Sequence, residues 1–173
     1  MKAAKPIGRR LLFRRINLSP GARRSFLRDD AGGAIAEFAV ILPVLMLVLM
    51  GIFTFGAAMN NYVDLTEAVN TGARIVAISR GQTTDPCAVA ASAIYNSAPT
   101  LSQSNFTFSF AFDGSPFSGA SCSSSSTTTG AAGDLVQGTS ATVTVTYPCS
   151  LEVMGVNYVP SCTLQAETTE LVQ

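Results

Sequence analysis

The chain has 173 residues, and its 11 basic and 11 acidic side chains give a formal net charge of zero. Nine of the basic residues lie between Lys2 and Arg28, whereas the acidic residues all follow from Asp29 onward. The sequence contains no histidine and no lysine beyond Lys5, so most acid–base catalysis and most zinc sites lack their usual residues. With 47% hydrophobic and 13% charged residues, the chain as a whole is not of the intrinsically disordered class.

A membrane segment explains this charge asymmetry. Residues 38–63 form an uncharged run of 26 residues that is rich in Leu, Val, Ile and Met. As a helix the run is about 39 Å long, and a bilayer core of about 30 Å needs only about 20 apolar residues. The basic leader, residues 1–32, precedes the run, and eight of the 11 acids follow it. The positive-inside rule therefore predicts a cytoplasmic N-terminus and an exported C-terminal part.

Three other interpretations of this region remain open. The run could be the core helix of a soluble protein, or a secretory signal cut near Ala57-Ala58. Arg23-Arg24 could belong to a twin-arginine export signal. The long basic region, Glu37 beside the run and Pro43 within it favour a retained anchor over residues 33–63.

The junction between leader and run has a distinctive order of residues. Gly32 and Gly33 precede a single acid, Glu37, and the apolar run begins at Phe38. This order resembles a type IV prepilin processing site, where a peptidase cuts after glycine and glutamate is the fifth residue of the product. Cutting after Gly32 makes Glu37 the fifth residue. A carboxylate just inside hydrocarbon is costly, so it either pairs with a neighbouring subunit's α-amino group or reaches back to the headgroups.

The resemblance becomes more specific across residues 37–43 (EFAVILP), 51–56 (GIFTFG) and 68–74 (AVNTGAR). These segments are similar to the TadE-like proteins of the tight adherence (Flp) pilus machinery, over about residues 28–80. The resemblance implies cleavage at Gly32 and Gly33 by a prepilin peptidase, with Glu37 and Phe38 registering one subunit against another. It also implies partners: sister TadE-like pseudopilins, the Flp pilin and an inner-membrane assembly platform, besides the lipid bilayer.

Two further features concern the helix itself. Pro43 cannot donate a hydrogen bond to the carbonyl of residue 39, so it predicts a bend or a local loosening. Beyond the membrane, Leu65, Val69 and Val76 lie at helical spacing and predict a stem over residues 64–81 that ends near Gly81. This stripe packs either on the chain's own domain or on another subunit.

The remaining residues, 82–173, predict an exported α+β head. Asp85-Pro86 is typical of a helix start. Alternating residues over 105–112, 142–147 and 163–172 predict strands, the last two being antiparallel neighbours joined by a loop. The Ser/Thr/Gly-rich composition of residues 115–133 predicts a solvated loop. The fold class is therefore α+β: a single transmembrane helix that continues into a stem helix, with a small antiparallel-sheet head.

All four cysteines follow the membrane segment, in the compartment where disulfides persist. Cys149 and Cys162 each adjoin an end of the loop between the last two strands, which favours a Cys149–Cys162 bridge. Cys87 and Cys122 then pair by remainder. None lies in a C-x-x-C motif, so we expect no zinc or thioredoxin-like site.

These patterns lead to two hypotheses of function. The first is a pilus assembly protein, a minor pilin or pseudopilin of a tight adherence (Flp) system in the bacterial inner membrane. The second is an unprocessed, single-pass membrane-anchored binding or adhesion protein. We expect no enzymatic activity, because no G-x-S-x-G motif or histidine base activates a nucleophile, although a glycosidase-like carboxylate pair is compatible with the composition. We also expect no cofactor, no metal and no nucleic-acid partner.

Overall fold

The computed structural model describes residues 30–173, and it has the α+β architecture that the sequence predicts. Most of the basic leader, including Arg23-Arg24, lies outside these described residues. The described chain divides after Leu45 into the first segment of a long helix and a second unit, Met46–Gln173. In chain order the elements are α1 (Asp30–Ile78), α2 (Pro86–Ser97), a 3-10 turn (Gln103–Asn105), β1 (Thr107–Phe112), β2 (Ser115–Ser118), α3 (Gly130–Gly133), β3 (Ser140–Pro148), β4 (Glu152–Val153), β5 (Val156–Asn157) and β6 (Thr163–Leu171).

Helix α1 contains both the apolar run and the predicted stem. It has 49 residues and includes Pro43 in its interior. The helix ends at Ile78, and Gly81 adopts a φ of +70° three residues later, which is the left-handed conformation that favours glycine. The predicted stop at Gly81 is therefore the turn that follows the helix rather than its last residue.

Helix α2 crosses α1 at a glycine. A Cβ atom at Gly72 would lie 2.6 Å from Cγ1 of Ile94, whose side chain is fully buried. A side chain at position 72 would displace the buried Ile94 side chain, so glycine favours this close approach of the two helices. Gly72 therefore sets the packing of α2 on the stem.

Four strands form one antiparallel sheet in the order β2-β1-β3-β6. The β1–β2 hairpin turns at Asp113-Gly114, and both residues have positive φ, as a two-residue type I′ turn requires. The alternation in β1 buries Phe108, Phe110 and Phe112 on one face. These rings join the buried residues of α1 and α2 in a single core.

Three segments differ from the sequence-based expectation. Residues 115–133 are not one solvated loop, because β2 pairs with β1 and α3 buries Ala131 and Ala132. The loop between the last two strands contains a small hairpin, β4–β5. Strand β1 begins at Thr107 rather than at residue 105, because the 3-10 turn occupies the positions before it. These conformations depend on backbone pairing, turn geometry and burial, which local composition alone does not report.

Two disulfides join the head, Cys87–Cys122 and Cys149–Cys162, with Cα–Cα distances of 5.4 and 5.1 Å. These are the pairs that the position of the cysteines favoured. The second closes the base of the loop that carries β4–β5, where the Cys149 amide also donates to the Cys162 carbonyl at 3.0 Å. The first joins the start of α2 to the serine-rich segment.

Candidate functional site

The predicted processing junction lies in the first turns of α1. Because α1 begins at Asp30, both Gly32 and Gly33 lie within the helix. Glu37 is exposed one turn after Gly33, and Phe38 beside it is 58% exposed. Gly33, Glu37 and Phe38 thus lie on one exposed helical segment, and the chemistry assigned to the junction stays a prediction.

The first part of α1 presents an apolar surface on every side. Each residue from 33 to 50 is exposed, although most of them are Leu, Val, Ile, Met, Phe or Ala. Between Gly33 and Ile78 the helix is long and apolar enough to cross a membrane. A surface of this kind is stable only against lipid or against other apolar helices.

The later part of α1 is covered on one side by the head. Gly51, Thr54, Ala58 and Asn61 are half-buried at intervals of three and four residues. The same stripe continues as the fully buried side chains Leu65, Ala68, Val69, Ala73 and Val76. The predicted stem stripe therefore packs on the chain's own head.

Asp85 organises the other end of the head. It is the N-cap of α2, where its Oδ1 accepts hydrogen bonds from the amides of Ala88 and Cys122, each at 2.9 Å. Its Oδ2 accepts a hydrogen bond from the Ser121 hydroxyl. The neighbouring Thr84 carbonyl accepts from the Ser124 amide at 2.7 Å. One capping residue thus fixes the serine-rich segment to α2, a contact across more than 35 residues that the sequence pattern does not reveal.

These hydrogen bonds set the ionisation of Asp85. Partial burial would raise the pKa of this carboxyl, but the hydrogen bonds from Cys122, Ser121 and Ala88 outweigh it and lower the pKa below its ordinary value of 3.8. Because the folded-state pKa is depressed, the carboxylate stabilises the fold above the ordinary pKa. That contribution is lost as the pH falls through the folded-state value.

We expect Asp85→Asn to show this pH dependence. The asparagine oxygen can still cap α2, but its amide nitrogen replaces the oxygen that accepts from Ser121. The variant should be less stable than the wild type at neutral pH, by up to about 1 kcal/mol, and the difference should shrink near pH 3. Urea unfolding of the full chain in detergent at both pH values measures it. A difference that is equal at the two pH values would contradict the assignment.

Asp85, Cys87 and Cys122 place one oxygen and two sulfur atoms within 4.8 Å of one another. A metal would bind cysteine through its thiolate, but both sulfur atoms are in the Cys87–Cys122 disulfide. These three residues therefore have a structural role: Asp85 caps α2, and the disulfide joins α2 to the serine-rich segment.

Comparison with known proteins identifies one segment of the chain. Residues 32–74 match the family model described as TadE-like protein, which confirms the resemblance noted in the sequence. The match begins at the junction, includes the apolar run and ends in the buried stem. The match indicates a protein related to the tight adherence pilus. No curated protein and no solved structure matches the chain.

Proposed function

We propose that this chain, with its TadE-like segment, is a minor pilin or pseudopilin that helps to assemble a tight adherence (Flp) pilus. The observation that carries the proposal is the extent of the family match. Residues 32–74 combine the Gly-Gly-x-x-x-Glu junction, a membrane-length apolar run and a stem that packs into the exported head. The mechanism is association of subunits rather than catalysis.

Association would proceed through the exposed part of α1. After cleavage behind Gly32 by the prepilin peptidase, Gly33 carries a free α-amino group and Glu37 is the fifth residue. The Glu37 carboxylate of one subunit pairs with the α-amino group of the next, which offsets the cost of placing a charge just inside hydrocarbon. Phe38 and the residues that follow then pack beside the helices of sister pseudopilins or the Flp pilin. Pro43 loosens the helix next to this contact.

The proposed location is the bacterial inner membrane, with the basic leader in the cytoplasm and the head outside. The charge distribution supports this orientation, since nine basic residues precede the run. The two disulfides of the head support it as well, because disulfides persist in exported compartments. The assembly platform in the same membrane would then be the partner.

The alternative function is an unprocessed, membrane-anchored binding or adhesion protein. It uses the same anchor and the same disulfide-bonded head but keeps residues 1–32. The N-terminal sequence of the mature protein, from cells with and without the prepilin peptidase, separates the two. A start at Gly33 that depends on the peptidase supports the pseudopilin, and a start at Met1 in both strains favours the alternative.

We expect Gly32→Ala and Glu37→Ala to abolish piliation while the protein is still produced and inserted. The first change removes the residue at the cleavage site, and the second removes the carboxylate that pairs between subunits. Electron microscopy of surface pili, with immunoblots of the membrane fraction, measures both effects. Glu67→Ala is the matched control, since Glu67 is an exposed acid on the same helix beyond the apolar run. Normal piliation in both junction variants would refute the proposal.

A further inference from the structure

We propose that residues 151–159, which comprise the β4–β5 hairpin and its flanking residues, insert into the bilayer surface beside α1 on the exported side. The inference rests on the membrane placement proposed above and concerns a part of the chain beyond the family match. The head would then contact the membrane at a second place besides α1, and the partner of the hairpin would be the lipid surface. We call this segment the 151–159 hairpin.

The hairpin lies against the apolar run of α1. The Thr54 hydroxyl oxygen lies 2.9 Å from the Met50 carbonyl oxygen and 3.2 Å from the Glu152 carbonyl oxygen, so its single hydrogen is shared between these two acceptors. On the C-terminal side of Thr54, an apolar groove is lined by Phe55 and Met59 of α1 and by Leu151 of the hairpin. The base of the hairpin is fixed there by Cys149–Cys162. The hairpin therefore extends along the helix, back from the head toward the membrane.

The contact with Thr54 sets the depth of the hairpin. The apolar run occupies residues 38–63, and a span needs about 20 of these 26 residues. Every choice of 20 consecutive residues within the run includes Thr54. At about 1.5 Å per residue, Thr54 lies about 5 to 14 Å inside the exported edge of the span. A segment that contacts Thr54 is therefore at membrane depth.

The surface of the hairpin suits this depth. Met154, Val156 and Tyr158 are 63%, 53% and 68% exposed, and Val159 beside them is also exposed. In water such a cluster on a short loop is unfavourable, whereas at a bilayer surface it is stabilised. Tyrosine is also the kind of residue that is enriched at the headgroup level.

The turn of the hairpin provides an internal comparison. Both two-residue turns of the head have positive φ at both positions: Asp113-Gly114 at 47° and 81°, and Met154-Gly155 at 54° and 79°. The backbone geometry favours Asn, Asp or Gly at the first position, which is what the β1–β2 turn has. Methionine adopts this conformation less readily, so its presence at the tip is not explained by the turn. An apolar environment explains it.

Two polar features limit the depth to the interface. The Glu152 carboxylate is exposed, and a two-stranded hairpin leaves its outer backbone groups without partners in the sheet. Both need water or headgroups, so the hairpin cannot lie in the centre of the hydrocarbon. The shallow end of the depth range, about 5 Å, meets this requirement and agrees with the usual depth of interfacial segments. The span is then residues 38–57, with Tyr62 at the headgroups.

The sequence contains no tryptophan, so single tryptophan variants report on one position each. We would reconstitute full-length Val156→Trp and Tyr158→Trp into phosphatidylcholine vesicles and measure quenching by brominated acyl chains. Phe53→Trp, on the exposed side of α1, is the control within the span. Val136→Trp is the matched exposed control, at the end of the head near Arg80.

We expect both hairpin variants to be quenched at least about half as strongly as Phe53→Trp, and several-fold more than Val136→Trp. Quenching of the hairpin no greater than that of Val136→Trp, with Phe53→Trp quenched, overturns the inference and leaves the pseudopilin proposal intact. In that case the hairpin is free in water or covered by protein, which crosslinking between copies would distinguish. If Phe53→Trp is also not quenched, α1 does not span the bilayer, and the proposed membrane placement fails together with the inference.

Discussion

Replacing Phe110 with alanine is expected to lower the free energy of unfolding of the head by about 3–5 kcal/mol. The side chain is 1% exposed and lies between Phe108 and Phe112 on the buried face of β1, with ring centroids 6.0 Å from each. Its cross-strand neighbours are Val143 in β3 and Phe117 in β2. Because residues on every side are held by their own packing, the cavity cannot collapse fully and the loss includes a cavity cost.

Urea unfolding of the full chain in detergent, followed by near-ultraviolet circular dichroism, measures this loss. Tyr95 is a suitable probe because its ring packs edge-on against Phe106 and Phe108 at 5.6 and 5.5 Å. Phe117→Ala is the control, since Phe117 is only half-buried on the edge strand of the same sheet. Its loss should be clearly smaller, and equal losses for the two variants would contradict the central position of Phe110 in the core.

Periodic patterns allowed much of this fold to be predicted from the sequence. The alternation of Phe108, Phe110 and Phe112 and of Val143 and Val145 reports which face of a strand is buried, and the structure buries these residues. The start of α2 was predictable because Asp85-Pro86 is a local capping signal. In each case residues adjacent in the chain carry the information.

The strands that were not predicted form through backbone pairing that their residue composition does not report. Strands β4 and β5 have two residues each, too few to show any alternation, and the only signal was the dipeptide Met154-Gly155 between two valines. Strand β2 lies in a serine-rich segment and forms because the Asp113-Gly114 turn brings it against β1. A composition of small polar residues describes a loop equally well, so the pairing was invisible in the sequence.

The candidate site shows the same division. Gly32, Gly33 and Glu37 were chosen for their order in the chain, and the family match begins at this junction. The roles proposed for them involve a peptidase and neighbouring subunits, which lie outside a single chain. The second role of Asp85, as acceptor for Ser121 and Cys122, was missed because its partners lie far along the chain.

Removal of the Cys87–Cys122 disulfide should lower the free energy of unfolding by about as much as the Phe110→Ala change. In the chain-entropy model, a bridge between residues 35 positions apart stabilises the fold by about 4 kcal/mol. We expect the double variant Cys87→Ala/Cys122→Ala to lose about this amount in urea unfolding. The Cys149–Cys162 bridge spans only 13 positions, so Cys149→Ala/Cys162→Ala should lose about 3 kcal/mol.

The two variants should also differ in where the structure loosens. Without Cys87–Cys122, residues 121–124 are held at the start of α2 by their hydrogen bonds to Thr84 and Asp85, so the amides of residues 122 and 124 should exchange with solvent faster. Without Cys149–Cys162, the base of the β4–β5 hairpin should exchange faster while Ser124 does not change. Hydrogen exchange measured by mass spectrometry on both full-length variants separates these effects. Unchanged exchange at Ser124 in the first variant would mean that the hydrogen bonds to Thr84 and Asp85 fix the segment by themselves, and that the bridge acts only on the unfolded chain.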